Sequence, residues 1–117
     1  MKIADIYRWF EAPPRRHLNK EQAVCFVCAV LQSQQVTYGT ELLALIEQTD
    51  HYTLSDTVLN SVLLFLEKQK MIDSFRQKCP GRGRPRRMIK LKPDSVPQAQ
   101  SLAALWLNFT APKIANV

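Results

Sequence analysis

Along most of the chain, apolar side chains recur at intervals of three and four residues, the spacing of a helix that buries one face. From Lys2 to Glu11, Ile3, Ile6, Tyr7 and Phe10 outline a short amphipathic helix that stops before Pro13-Pro14. Pro13-Pro14-Arg15-Arg16 reads as a linker. Asn19 then offers an acceptor to the free N–H groups of a second helix, Lys20 to about Gln34, with Val24, Phe26, Val27, Val30 and Leu31 mostly inward. Val36-Thr37-Tyr38-Gly39 interrupts the period as a turn, and Leu42, Leu43, Leu45 and Ile46 restore it over Thr40 to Gln48. After Asp50-His51-Tyr52-Thr53, Ser55 is the expected cap of a helix reaching about Lys70, in which Leu59, Val62, Leu63 and Leu66 form one stripe.

The period then changes. Met71 to Lys78 and Met88 to Lys92 alternate loosely, with the prolines and glycines confined to the stretch between them, so the pair reads as a hairpin of two short strands. Beyond Pro93, Leu102, Leu105, Trp106 and Phe109 return to the helical spacing over Ser95 to Phe109, and Pro97 falls in a first turn that tolerates it. Helix, turn, helix, hairpin is the order of a winged helix. The expected fold is therefore α+β, mainly α: a winged helix-turn-helix with a two-stranded wing and extra N- and C-terminal helices. At 117 residues the chain suits one core, with residues 1–14 as N-terminal helix and linker, 15–93 as the winged-helix domain and 94–117 as a C-terminal helix and tail.

Composition adds little until charge is placed along the chain. Apolar residues make up 46%, which predicts a folded globule rather than a disordered chain. Of the net charge of +6, more than all comes from Ser74 to Pro93, where eight basic residues stand without an acid; the other 97 residues are net negative by two. A positive field confined to a hairpin loop points to a polyanion.

Other chemistries are poorly served. His17 and His51 stand apart from paired carboxylates, and no glycine-rich loop follows a strand to cradle nucleotide phosphates, so no catalytic residues, cofactor or small-molecule substrate are expected. Cys25, Cys28 and Cys79 form an odd set without a secretory signal, which points to the cytoplasm. Cys25 and Cys28 sit in an apolar helical run without a second pair of ligands, so they read as buried small hydrophobes and no metal is expected. No apolar run approaches the length of about 20 residues that spans a membrane.

In the hairpin loop, Gly81 and Gly83 let backbone approach DNA closely, while Arg82 and Arg84 carry guanidinium groups suited to a narrow, negative minor groove. Arg82-Gly83-Arg84-Pro85 matches the core of an AT-hook, and Arg86 and Arg87 add phosphate contacts. On the third core helix, the face opposite its apolar stripe presents Asp56, Thr57, Asn60, Ser61, Leu64 and Lys68. Asn60 and Thr57 would read bases, Ser61 a base or phosphate, and Lys68 a phosphate. The competing class is a winged-helix protein–protein interaction module without DNA readout, since this face is poor in arginine.

The run Tyr38-Gly39-Thr40-Glu41-Leu42, the segment Ser55 to Glu67, Lys68-Gln69-Lys70-Met71-Ile72 and Gly81-Arg82-Gly83-Arg84-Pro85-Arg86-Arg87 together resemble PadR-type winged-helix transcriptional regulators. The resemblance covers roughly residues 21–92. It departs from the family at Asn60-Ser61, where Tyr-Pro is usual, at Lys70, where glycine is usual, and at Ile89, where an aromatic is usual. It implies a regulator binding double-stranded promoter DNA, with Thr37, Tyr38 and Ser55 joining the contact residues. Within the family the combination looks most like a cyanobacterial clock modifier, which implies a homodimeric repressor of a clock-gene promoter. The surplus apolar stripes give that dimer a physical basis: Ile3, Ile6, Tyr7 and Phe10 at one end and Leu102, Leu105, Trp106 and Phe109 at the other are its expected interface.

Overall fold

A computed structural model describes residues 1–11, 14–49, 51–78 and 86–110, with Phe109 and Thr110 as helix backbone only. Among the described residues, five helices and three strands follow in the order α1 (Ile3–Trp9), α2 (Lys20–Gln34), β1 (Val36–Tyr38), α3 (Gly39–Glu47), α4 (Asp56–Lys68), β2 (Ile72–Gln77), β3 (Arg86–Leu91) and α5 (Val96–Thr110), with one 3-10 turn at Pro93–Ser95. None of these helices is long and apolar enough to cross a membrane.

Local chemistry sets the helix ends. Asn19 and Gln22 form a reciprocal cap at the start of α2: the Gln22 N–H donates to Asn19 Oδ1 at 2.8 Å, and the Asn19 N–H donates to Gln22 Oε1 at 3.2 Å. Gln22 is fully buried, and its amide nitrogen donates to the Glu11 carbonyl at 3.2 Å, so the same side chain ties α2 to the segment after α1. Ser55 caps α4 by accepting from the Val58 N–H at 3.1 Å. That helix ends with the Met71 N–H bonded to the Leu66 carbonyl and the Lys70 N–H to the Glu67 carbonyl, the pairing of a Schellman motif. Lys70 takes the left-handed conformation, φ 59°, that this motif requires and that glycine adopts at lowest cost. The glycine usual at this position in PadR-type chains is thus replaced without loss of the geometry.

Val36–Tyr38 is a strand, where the sequence reads as a turn. It pairs antiparallel with β3, Thr37 opposite Ile89, so the sheet has three strands in the order β1-β3-β2 rather than a free two-stranded hairpin. Three residues are too few to display alternation, and the partner strand lies some fifty positions away in sequence.

The core is built around α2, whose residues Gln22 to Cys28 and Leu31 are buried. Against it pack α4, with Leu59, Val62, Leu63 and Leu66, and α5, with Ala99, Leu102, Ala103 and Trp106. Cys25 and Cys28 lie inside this core, and burial pushes both thiols up, Cys28 to about 12. At neutral pH they remain protonated apolar fillers.

Three residues assigned above to the dimer interface are consumed here. Ile6 and Leu102 are fully buried and Trp106 nearly so within the single chain. The Trp106 ring meets Phe26 edge-on at 5.5 Å between centroids and Tyr52 at 5.0 Å. A stripe at i, i+3, i+4 and i+7 looks the same whether its partner is the chain's own α2 or a second copy, so the sequence pattern does not show that these three side chains are covered within one chain. Truncating Trp106→Ala should therefore cost about 3–5 kcal/mol of folding stability, read by urea unfolding. An unchanged midpoint together with a loss of dimer would restore the interface assignment.

Candidate nucleic-acid interface

The exposed face of α4 carries Asp56, Thr57 and Asn60, with Ser61 half-buried and Leu64 and Lys68 exposed beyond them. Its opposite face is spent on the core. Thr57, Asn60, Ser61, Leu64 and Lys68 follow one another at helical spacing, so the polar residues expected to read DNA do share one side of the helix.

The hairpin root is fixed to this helix. Within the sheet Ile89 and Leu91 face inward, and Arg87, two residues before Ile89, lies on the same face at its open end. There its guanidinium forms an ion pair with Glu67 on α4. The second oxygen of Glu67 accepts from the Ser74 hydroxyl on β2 at 3.2 Å. This carboxylate also offsets a like-charge contact, because Arg76 stands directly opposite Arg87 in the β2–β3 ladder. Sequence reading included Glu67 in the family pattern but gave it no role.

Arg86 points to the other face. Its guanidinium carbon lies 4.1 Å from the centroid of the Tyr38 ring on β1, a cation–π contact between strands. Tyr38 opposes Met88, and Arg86 is the diagonal neighbour on the same side, within reach of a long side chain. Tyr38 and Arg86 are therefore brought together, as are Arg87 and α4.

Thr37 is fully buried, and its hydroxyl donates to Glu41 Oε1 at 2.7 Å, so it anchors β1 to α3 and presents nothing to a ligand. Ser55 is exposed, but its hydroxyl oxygen is engaged as the α4 cap. Arg82 and Arg84 lie outside the described residues.

At the other assigned interface, Tyr7 is exposed and Ile3, Phe10 and Leu105 are half-buried, while the side chain of Phe109 lies outside the described residues. The Tyr7 hydroxyl accepts from Gln98 of α5 at 3.3 Å. Trp9 and Leu107, not singled out from the sequence, are exposed at 61% and 45%. Trp9 falls two residues from Tyr7, off the stripe that the helical period marked. Among the described residues, no group of three or more His, Cys, Asp or Glu side chains is placed to hold a metal ion.

No protein-family model matches the sequence, and no curated protein does. Solved structures do. The circadian clock associated protein Pex from Anabaena superposes with a TM-score of 0.75 at 46% identity, covering 93% of this chain and 95% of that one. Pex from Synechococcus gives 0.75 at 45% identity, covering 93% and 97%. A PadR-like transcription factor from Bacteroides fragilis gives 0.63 at 19% identity, covering 82% and 92%, a likeness of fold.

The buried Thr37–Glu41 hydrogen bond has a direct check. Replacing Thr37→Val removes a buried hydrogen bond to a carboxylate and should cost about 1–2 kcal/mol in urea unfolding. The folded variant should bind any DNA that the parent binds with unchanged affinity. Weaker DNA binding at unchanged stability would return Thr37 to the interface.

Proposed function

The chain belongs to the Pex family and has the fold of PadR-like winged-helix transcriptional regulators, and from that premise we propose that it is a sequence-specific, double-stranded-DNA-binding regulator acting as a homodimeric repressor of a clock-related promoter. The observation that carries the reading is the Glu67–Arg87 pair. It joins the root of the most basic segment of the chain to the helix whose exposed face is polar, so that wing and recognition helix meet one ligand together.

In this reading Asn60 and Thr57 read base edges in the major groove, and Ser61, Lys68 and the amide end of α4 near Ser55 hold the backbone. Arg86 and Arg87 contact flanking phosphates. Tyr38 acts by supporting Arg86. Arg82 and Arg84 enter the adjoining minor groove. An ion pair as exposed as that of Arg87 costs little to open, about 0–1 kcal/mol, so Glu67 can hold the side chain in place and still release it to a phosphate.

Residues 15–93 carry the DNA contacts, and the flanking segments 1–14 and 94–117 carry contacts between two copies. Exposed Tyr7 and Trp9, with the half-buried Ile3, Phe10 and Leu105, replace the residues the core has taken. A two-fold pairing would set two α4 helices about one DNA turn apart.

Replacing Arg84→Ala should cost about 1–3 kcal/mol of DNA affinity, measured by fluorescence anisotropy on fragments selected from genomic DNA, and leave the melting temperature unchanged. Undiminished binding would remove the wing from the interface. In sedimentation, the parent should run as a dimer and Trp9→Ser should shift towards monomer; a dimer untouched by that change would place the two-fold contact elsewhere. Deleting the gene should raise transcription from the bound promoter, whereas a fall would make the protein an activator.

A further inference from the structure

One side chain on the recognition face has no part in the polar contacts just assigned. Leu64 is 55% exposed and stands amid the row Thr57, Asn60, Ser61, Leu64 and Lys68, spaced i, i+3, i+4, i+7 and i+11. The core makes no use of it, because Leu59, Val62, Leu63 and Leu66 already supply the inner face of α4. Beside it opens a groove of about 340 Å³ whose walls include Lys20, Ser61, Phe65 and Lys68. Lys20 is the first residue of α2, so a second element contributes a basic residue to the same groove.

An exposed apolar side chain that shares its groove with two lysines matches one feature of duplex DNA. In the major groove the thymine C5-methyl is the apolar group on a base edge, and phosphates line both rims. Resting on the DNA-binding reading, we infer that Leu64 is a specificity-determining residue that packs on a thymine methyl, with Lys20 and Lys68 on the phosphates to either side. Cytosine at the same place is disfavoured, since its N4 amino donor would face a leucine and lose its water without gaining an acceptor. Leu64 lies one helical turn from Asn60, so adenine recognition by Asn60 and thymine recognition by Leu64 fall on neighbouring base pairs. The preferred site is accordingly rich in A·T pairs beneath α4, and a lysine at the start of α2 contributes to affinity without reading sequence.

The test isolates the methyl group. A preferred duplex is recovered by the parent from a random pool, each thymine is replaced singly by uracil, and affinities are read by fluorescence anisotropy. Burying one methyl changes an equilibrium by about fourfold. The parent should lose about that factor at one or two positions. Leu64→Ala should bind the all-thymine duplex more weakly by a similar factor and be indifferent to uracil at those positions, with an unchanged melting temperature because the side chain is exposed. Two results overturn the inference: uracil without effect on the parent at every position, or Leu64→Ala retaining the parent's loss at the same positions. If the parent recovers no duplex, the DNA-binding reading falls and this inference with it; if it binds but ignores the methyls, only the inference falls. Conversion of a dimer to monomer by Leu64→Ala, with no uracil effect, would assign the surface to a second copy instead.

Discussion

The central place of β3 in the sheet governs where the charged residues can point. With β1 on one edge and β2 on the other, the return strand of the hairpin is hydrogen-bonded on both sides. A slip of one residue would bring Met88 and Lys90 inward in place of Ile89 and Leu91, exposing two buried side chains and burying a lysine. The same slip would carry Arg87 away from the face that meets Glu67 and bring Arg86 to it. Burial of Ile89 and Leu91 thus decides which arginine faces α4 and which stacks on Tyr38.

Behind the sheet, α2 is the element against which α4 and α5 pack. Its buried run from Gln22 to Cys28 receives α4 on one side and α5 on another, while Gln22 fastens the segment after α1. The Phe26, Tyr52 and Trp106 rings join α2, the turn before α4 and α5, so α5 braces the approach to α4. With its apolar face committed to this core, α4 turns a polar face outward.

Elements with a local chemical signature were legible in the sequence. Asn19 marked the start of α2, Ser55 marked the start of α4, and the prolines and glycines set the hairpin apart. The polar row on α4 followed from the position of its apolar stripe. What could not be read depended on partners distant in sequence. The strand at Val36–Tyr38 exists because β3 pairs with it, the burial of Thr37 follows from that strand, and the inward turn of Ile6, Leu102 and Trp106 depends on α2 being there to receive them. Helical periodicity reports that a face is apolar and is silent about what covers it. Glu67 was missed for a related reason: an acid on a helix beside a basic hairpin acquires a role only when the hairpin folds back onto it.

The proposed DNA surface consists of the outer face of α4 and the root of the basic hairpin, which Arg87 and Ser74 join to Glu67. Its central property is electrostatic, and the most direct measurement is the dependence of duplex DNA affinity on ionic strength. Several lysine and arginine contacts to phosphate should make log Kd rise linearly with log salt, with affinity falling about 10³-fold or more between 50 and 200 mM. Affinity for duplex DNA that stays level across that range, or no binding at the lower salt, would contradict the assignment of this surface to DNA.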